Sequence, residues 1–289
     1  MNTHASLFSV TSALVTSAIA LTACVSADEA PGAEGEPADW VPLMTAEWTA
    51  AAGVEKSVCI RHTVSEDVTF GAIHVVSPPQ AQHVMVTVGA ADGPDGVVAC
   101  EPLQGHERLL YAAGPMSDPF VLPDKVGMEV PAGRQLLLNV QIANPAPVAE
   151  PASLHVYVEP LDPREVTDLA EAVLMGHEAG SGPSVCTMGH DSFPFAVALQ
   201  ASPASHVTMV AKSSFSGEVT LFDAPTVDPQ VHLLDGPVGM REGELIELRC
   251  TDDALAGSRV GATSADEGSC LAAVYRYPAR PDTSWWCED

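Results

Sequence analysis

Short apolar runs with a period of two residues recur from residue 40 onward, and they constrain the fold more than any other feature. In residues 135–142 (QLLLNVQI), every even-numbered position is apolar, which predicts a strand with one core-facing side and with Asn139 and Gln141 on the other. Residues 83–88 (HVMVTV) alternate in the same way and place His83 on the face opposite the valines. A strand of this kind needs a sheet, and one apolar face needs a second layer to cover it.

Ten such runs are separated by proline, glycine and aspartate, and together they predict an all-β fold of antiparallel sandwiches. The turn-rich stretch near residues 160–164 predicts the boundary between two sandwich domains, residues 40–162 and 163–289. Residues 166–175 are the exception, since their spacing suits a brief helix or a connector. The runs are residues 57–64, 69–76, 84–88, 135–142, 154–158, 195–200, 207–211, 218–222, 244–249 and 271–275.

The N-terminus has the composition of an export signal. Its first 23 residues contain no Asp, Glu, Lys or Arg, and residues 7–20 form an apolar segment too short for a lasting membrane helix. The segment ends in Leu21-Thr22-Ala23-Cys24, which is typical of a bacterial lipobox. We therefore expect a signal peptide over residues 1–23, lipid on Cys24 and a flexible acidic linker over residues 24–39. An ordinary signal peptide with a chance cysteine is the alternative. Val25 favours the outer membrane, so we expect a cell-envelope lipoprotein facing either the periplasm or the outside.

Six cysteines remain in the exported chain, and they predict three disulfides from fifteen arithmetically possible pairings. Cys250 ends one apolar run and Cys270 opens another, with a polar loop between them, so a disulfide across that loop is the simplest interpretation. The formal net charge of −26 disfavours nucleic acid and anionic lipid headgroups as partners. A solvated acidic surface is its simplest explanation.

Several segments resemble one family in their order. They are residues 83–89 (HVMVTVG), 109–111 (LLY), 122–128 (LPDKVGM), 138–142 (LNVQI), the Gly243-Glu244 turn before Cys250, and residues 263–267 (TSADE) before Cys270. The chain is similar to the copper type II, ascorbate-dependent monooxygenases, the group of peptidylglycine alpha-hydroxylating and dopamine beta-monooxygenase. The likeness runs from residue 40 to Cys287.

The resemblance implies two tandem jelly-roll β-sandwiches, with one copper in each and a cleft between them. One copper is held by three histidines and the other by a His-x-His pair and a methionine, donors that suit a redox copper. The family's cysteine framework implies the pairs Cys59–Cys100, Cys186–Cys287 and Cys250–Cys270.

Most of the implied copper ligands are replaced in this chain. The paired histidines of the first site fall on His83 and Val84, and its third histidine falls on Gln141. The His-x-His pair falls on Ala204 and His206, or on Gln200 and Ser202 in a second register. The methionine falls on Ser269, or on Gly268 with a shifted gap. His83 and His206 are therefore the remnant metal positions.

Two other groups of residues offer donor atoms. His74 and His83 flank Pro78-Pro79, and a hairpin centred there would make them cross-strand neighbours. Met188 and His190, with His177 nearby, lie in predicted loops. For both groups, ordinary surface or loop polarity is the alternative. The Trp285-Trp286 pair suggests packing at a domain end, or else an exposed stacking surface. No phosphate loop, G-x-S-x-G or H-E-x-x-H motif occurs.

The sequence thus predicts an exported lipoprotein on a monooxygenase scaffold, with no catalytic residue assigned. In the first interpretation it is a non-catalytic binding protein without a cofactor, whose inter-domain cleft holds a small molecule or an envelope protein. The alternative is an active copper monooxygenase that hydroxylates a C–H bond with O₂ and ascorbate through rearranged ligands. A purely structural envelope role is the third interpretation.

Overall fold

The computed structural model describes residues 39–100, 107–114, 117–177, 182–201, 205–225, 230–252, 270–280 and 286–287. Within them the protein is all-β, with nineteen strands and no helix. The first eleven strands are β1 Val41–Ala50, β2 Val54–Thr63, β3 Val68–Val76, β4 Ala81–Gly89, β5 Gly96–Val98, β6 Arg108–Ala113, β7 Phe120–Val121, β8 Val126–Val130, β9 Gln135–Asn144, β10 Glu150–Pro160 and β11 Asp168–Leu169. The remaining strands are β12 Glu171–His177, β13 Ser184–Thr187, β14 Phe193–Ala201, β15 Ser205–Ser213, β16 Gly217–Pro225, β17 Val231–Leu233, β18 Leu245–Asp252 and β19 Cys270–Tyr277.

The strands form four sheets, two in each half of the chain. Sheet I has the order β1-β10-β3-β8-β11, with β7 also paired to β3, and sheet II has the order β5-β2-β9-β4-β6. Sheet III is β12-β19-β14-β17 and sheet IV is β13-β18-β15-β16. All strand pairs are antiparallel except β11 with β8, as expected for strands joined by short turns.

The two halves repeat one strand order. If β5, β7 and β11 are left aside, each half has eight strands. Numbered consecutively, they run 1-8-3-6 in one sheet and 2-7-4-5 in the other. Each of the ten apolar runs recognised in the sequence lies in one of these strands to within one residue at its ends. The helix considered for residues 166–175 is wrong, because Glu171–His177 is strand β12 and pairs with β19 along its whole length.

Alternation of side chains along each strand builds the first core between sheets I and II. Leu136, Leu138, Val140 and Ile142 of β9 are almost fully buried there, as the period of two predicts. The second core, between sheets III and IV, contains Val197, Leu199, Val207, Met209 and Val274 among others.

Sheet III is buried on both faces. One face lines the second core, whereas Leu174, Ala198, Ala273 and Tyr275 on the other face belong to the core of the first sandwich. Aromatic rings join the two halves: Phe120 lies 4.7 Å from Tyr275 and 6.1 Å from Phe195, measured between ring centroids. Residues 39–289 accordingly form one compact unit.

Three disulfides join the strands, and they are the three predicted pairs. Cys59–Cys100, Cys186–Cys287 and Cys250–Cys270 enclose sequence separations of 41, 101 and 20 residues. Such bonds are compatible with an extracytoplasmic location. A search of the described residues finds no helix with the length and apolarity needed to span a membrane. The predicted signal peptide and Cys24 lie outside the described residues, as does the predicted acidic linker (residues 24–39) except for its last residue.

Candidate functional site

His83 and Gln141 face each other across two neighbouring strands of sheet II. His83 of β4 is paired in register with Gln141 of β9, and Ser57 of β2 flanks Gln141 on the other side. Directly opposed residues of an antiparallel pair project their side chains to the same face, with Cβ atoms about 4.5–5.5 Å apart. The structure therefore brings together two of the three positions that the sequence comparison assigned to one metal site.

The His83 imidazole is buried without a polar partner. The residue is 7% exposed, and neither ring nitrogen has a hydrogen-bond partner in the described part of the chain. Burial lowers the pKa of His83 from 6.5 to about 4, because the charged imidazolium would lose its hydration. The ring is consequently neutral at pH 7, which is the state in which an imidazole binds a metal.

The Gln141 side chain is hydrogen-bonded to a neighbouring carboxylate. It is buried, and its Nε2 donates to Oε1 of Glu55 at 3.1 Å. An amide is a weak donor for copper compared with the imidazole of a histidine. This position therefore supports the sheet by a hydrogen bond and adds little as a ligand.

Val84 lies on the wrong face for a ligand beside His83. It is fully buried and pairs with Val140 of β9, so that both side chains point into the first core. Successive residues of a regular strand point to opposite faces. A histidine at position 84 would face the core unless the strand changed locally, and His83 is thus the one imidazole among these three positions.

His206, the position predicted as the remnant of the second site, is bound to a carboxylate at the surface. It lies on β15 opposite Thr251 of β18, and its Nε2 is 2.6 Å from Oδ1 of Asp223 on β16. Both side chains are about half exposed, 46% and 56%. Of the other positions assigned to this site, Gln200 lies on β14 opposite Leu271 of β19. Ser202, Ala204, Gly268 and Ser269 lie outside the described residues.

These donor sets do not fit a redox copper. Among the described residues, no three His, Cys, Asp or Glu side chains come together to hold a metal ion. His83 belongs to sheet II and His206 to sheet IV. In the described part of the chain, each is the one histidine among the positions expected to hold its copper. His83 and Gln141 therefore share one face of sheet II, but together they offer only one imidazole.

The proposed hairpin between His74 and His83 is wrong. His74 lies on β3 in sheet I and His83 on β4 in sheet II, so the chain crosses between sheets at Pro78-Pro79 instead of pairing with itself. His74 is opposite Tyr157 of β10, and its ring meets Trp40 edge-on at 6.1 Å. His155 stacks on Tyr157 at 5.8 Å.

A buried polar cluster near Met188 was missed by sequence reasoning. Arg276 of β19 is 3% exposed, and its Nε and Nη2 lie 2.9 and 2.8 Å from Oε1 of Glu171 on β12. Its Nη1 donates to Sδ of Met188 at 3.3 Å. Arg276 shares the parity of Val274, which predicts an inward direction, and this is the signal that could have identified it.

His190 lies in the same region and is also buried. Its Nε2 is 2.9 Å from the carbonyl oxygen of Pro278, and its Nδ1 has no hydrogen-bond partner among the described residues. Met188 and His190 thus do lie near each other in the fold, but Met188 contacts an arginine and His190 a carbonyl. Both contacts favour a structural role for Met188 and His190 in the second sandwich.

His177, the tryptophan pair and the histidines that no sequence spacing marked as ligands occupy separate places. His232 of β17 contacts the ring of Phe222 at 4.8 Å, and partial burial lowers its pKa. Trp286 pairs with Leu174 through an isolated bridge and packs on the first core, so its role is packing. His177 ends β12, whereas Trp285 and His106 lie outside the described residues.

Comparison with known proteins gives no relative from which a role could be transferred. No protein-family model matches the chain, and no curated protein matches it significantly. The functional conclusion therefore depends on the residues and contacts described above.

Proposed function

We propose that this protein is an exported lipoprotein on the scaffold of the copper type II, ascorbate-dependent monooxygenases, and that it acts as a non-catalytic binding or interaction protein. The observation that carries the proposal is the pairing of His83 with Gln141. The two positions stand where two ligands of one metal would have to stand, yet one side chain is an amide bound to Glu55.

The repeated strand order supports the scaffold part of the proposal. An order of 1-8-3-6 in one sheet and 2-7-4-5 in the other is that of an eight-stranded jelly roll, and it occurs in both halves of the chain. Tandem jelly rolls are the architecture that the sequence resemblance implies. The three disulfides also have the pairing expected from that resemblance.

The state of the remaining ligand positions supports the loss of catalysis. Val84 faces the core, and His206 is held by Asp223 at the surface. A copper centre that cycles between two oxidation states needs several nitrogen or sulfur donors around one point. One imidazole in each half would leave any copper weakly bound.

One observation favours the alternative of an active copper monooxygenase. Both nitrogens of His83 are buried and unpartnered, which is costly for a purely structural histidine and ordinary for a ligand. Copper held by His83 with donors outside the described residues is the form that this alternative takes.

A copper titration of the full-length protein in mild detergent separates the two functions. The bound metal is measured after dialysis against a chelator, and the Cu(II) spin-resonance spectrum is recorded. We expect no stoichiometric copper in the wild-type protein. One equivalent of copper with nitrogen hyperfine structure, lost in His83→Leu, would instead contradict the proposal and favour the alternative.

A further inference from the structure

An exposed strip of aromatic side chains lies at one end of the second sandwich. Phe215, in the turn between β15 and β16, is 64% exposed, and Phe193, at the start of β14, is 44% exposed. Phe193 stacks on Tyr277 with ring centroids 5.5 Å apart. Gly239 lies between the two phenylalanines, since a Cβ atom there would be 3.7 Å from an atom of each ring. We call Phe215, Gly239, Phe193 and Tyr277 the aromatic strip.

Hydrogen bonds hold the most exposed member of the strip in place. The Ser213 hydroxyl donates to the carbonyl of Gly239 at 2.6 Å and accepts the backbone N–H of Phe215 at 3.1 Å. The Glu244 carboxylate accepts the N–H of Ser214 at 2.6 Å and that of Arg241 at 2.8 Å. These bonds fix the Phe215 turn against its neighbouring loop. A surface ordered in this way loses little entropy when a partner binds to it.

The composition of the strip suits contact with a protein. The Arg241 guanidinium lies over the Phe215 ring, 4.3 Å from its centroid, so that an arginine and aromatic rings are presented side by side. Aromatic residues and arginine are enriched at protein interfaces and among the residues that dominate binding energy. Clustered exposed apolar side chains mark such contacts, whereas single ones do not.

The charge around the strip determines the kind of partner. Asp191 and Glu242 are exposed beside it and are tied together, because the Glu242 N–H donates to Oδ1 of Asp191 at 2.9 Å. The Arg241 charge is balanced by the neighbouring Glu244, and the whole chain carries −26. A second copy would bring equal negative charge, and the four residues of the strip supply much less than the about 800 Å² per partner of a stable dimer. The occupant should therefore be small, apolar and basic.

We propose that the aromatic strip is a docking surface for a short segment of a partner protein that carries apolar and basic side chains. Its rings would fill the space over Gly239, between Phe193 and Phe215, and its cations would face Asp191 and Glu242. The cellular role of this docking surface rests on the proposed function as a binding protein. It concerns a surface separate from His83, so it can be tested independently of copper.

The test uses three labelled decapeptides and the full-length protein in mild detergent. The first peptide contains phenylalanines and lysines, the second has glutamates in place of the lysines, and the third has serines in place of the phenylalanines. We expect binding of the first, measured by fluorescence anisotropy, and at least about tenfold weaker binding of the other two, since each lacks one half of the recognition. No binding of the first peptide, or no preference for it, would overturn the proposal.

Three variants locate the binding. Phe193→Ser with Phe215→Ser should weaken the first peptide about tenfold or more, whereas the matched control Val97→Ser with Val148→Ser, at sites that are 61% and 60% exposed, should not. Gly239→Lys keeps both rings but adds a positive charge between them. This charge would repel the lysines of the first peptide, so the variant should also bind it more weakly. Its Cβ meets both rings at ordinary contact distance, so the fold should tolerate it.

The remaining outcomes are equally decisive. Equal binding by all variants would place the contact elsewhere and refute the proposal. A dimer seen by analytical ultracentrifugation and abolished by Phe215→Ser would replace the peptide with a second copy as the occupant. Stoichiometric copper at His83 together with intact peptide binding would contradict the proposed function and leave this inference standing.

Discussion

Gln141 stands directly opposite His83 across strands β9 and β4, and its amide donates to Glu55 at 3.1 Å. One substitution therefore tests how much of a metal site the sheet still holds. In Gln141→His, two imidazoles would occupy opposed positions on one face, a spacing that one metal ion can bridge. We expect Cu(II) to bind at least about tenfold more tightly than to the wild-type protein, as measured by competition with a chelator.

The double variant His83→Leu, Gln141→His is the control for this prediction. It keeps the new imidazole and removes the old one, so that the gain in copper affinity should disappear. Retention of the gain would mean that copper is bound by residue 141 with other donors, and that the opposed pair is not the site.

His83 should make stability depend on pH in a defined window. Its pKa in the folded protein, about 4, lies below the ordinary 6.5, so between these values the unfolded chain binds a proton that the folded protein does not. The contribution is fully present above pH 6.5 and is lost as the pH falls toward 4, by an amount of about 3 kcal/mol. Urea unfolding of the wild type and of His83→Leu at a series of pH values measures it.

The two unfolding series should differ in slope within that window only. Other groups titrate there as well, and for this reason the difference between the two proteins is the relevant quantity. A control with His155→Gln, on the outer face of sheet I, should keep the wild-type slope. Parallel slopes for wild type and His83→Leu would show that His83 is solvated in the folded protein.

The buried pair of Arg276 and Glu171 should matter far more than the surface pairs. In Glu171→Gln, the guanidinium would stay buried beside Met188 without a countercharge, and we expect the free energy of unfolding to fall by about 3 kcal/mol. The matched control is Glu247→Gln, which removes the partner of Lys212 at the surface of sheet IV. Its effect should stay below about 1 kcal/mol. Equal effects in denaturant titrations would contradict the burial of the first pair.

Removal of one disulfide should lower the free energy of unfolding by a different amount from removal of another. Cys186–Cys287 closes a sequence separation of 101 residues and Cys250–Cys270 one of 20, and loop-closure entropy grows with the logarithm of that length. The double alanine variant of the longer bridge should therefore be less stable by about 1.4 kcal/mol than that of the shorter one. Guanidinium unfolding of the two variants provides the comparison. The opposite order would indicate residual structure in the unfolded chain.

Local patterns in the sequence predicted most of the strands and little of their arrangement. The alternation in residues 135–142 predicts both the strand and its buried face, because burial depends on the parity of each residue. The same pattern could not show that His83, on the opposite face, is buried too, since that depends on what the rest of the chain places over it. Nor could the pattern show that β3 and β4, which Pro78-Pro79 connects, belong to different sheets. A hairpin turn and a crossover between sheets have similar sequences.

The candidate site was predictable where it depended on one strand pair. His83 and Gln141 were singled out by their order in the sequence, and their register then follows from β4 and β9 being neighbours. The pairing of Arg276 with Glu171 could not be predicted, because it joins residues 105 positions apart. The aromatic strip likewise combines turns that are distant in the chain, and no local pattern in residues 193, 215 and 239 indicates their proximity.

Sheet III contributes side chains to both cores: Tyr275 faces the first core and Val274 faces the second. A cut between residues 162 and 163 would leave Phe120 without the rings of Phe195 and Tyr275 that cover it, and it would expose an apolar sheet on the other fragment. The two repeats are thus thermodynamically inseparable. The protein should lose both in one cooperative transition, and neither half should survive the other as an independently folding module.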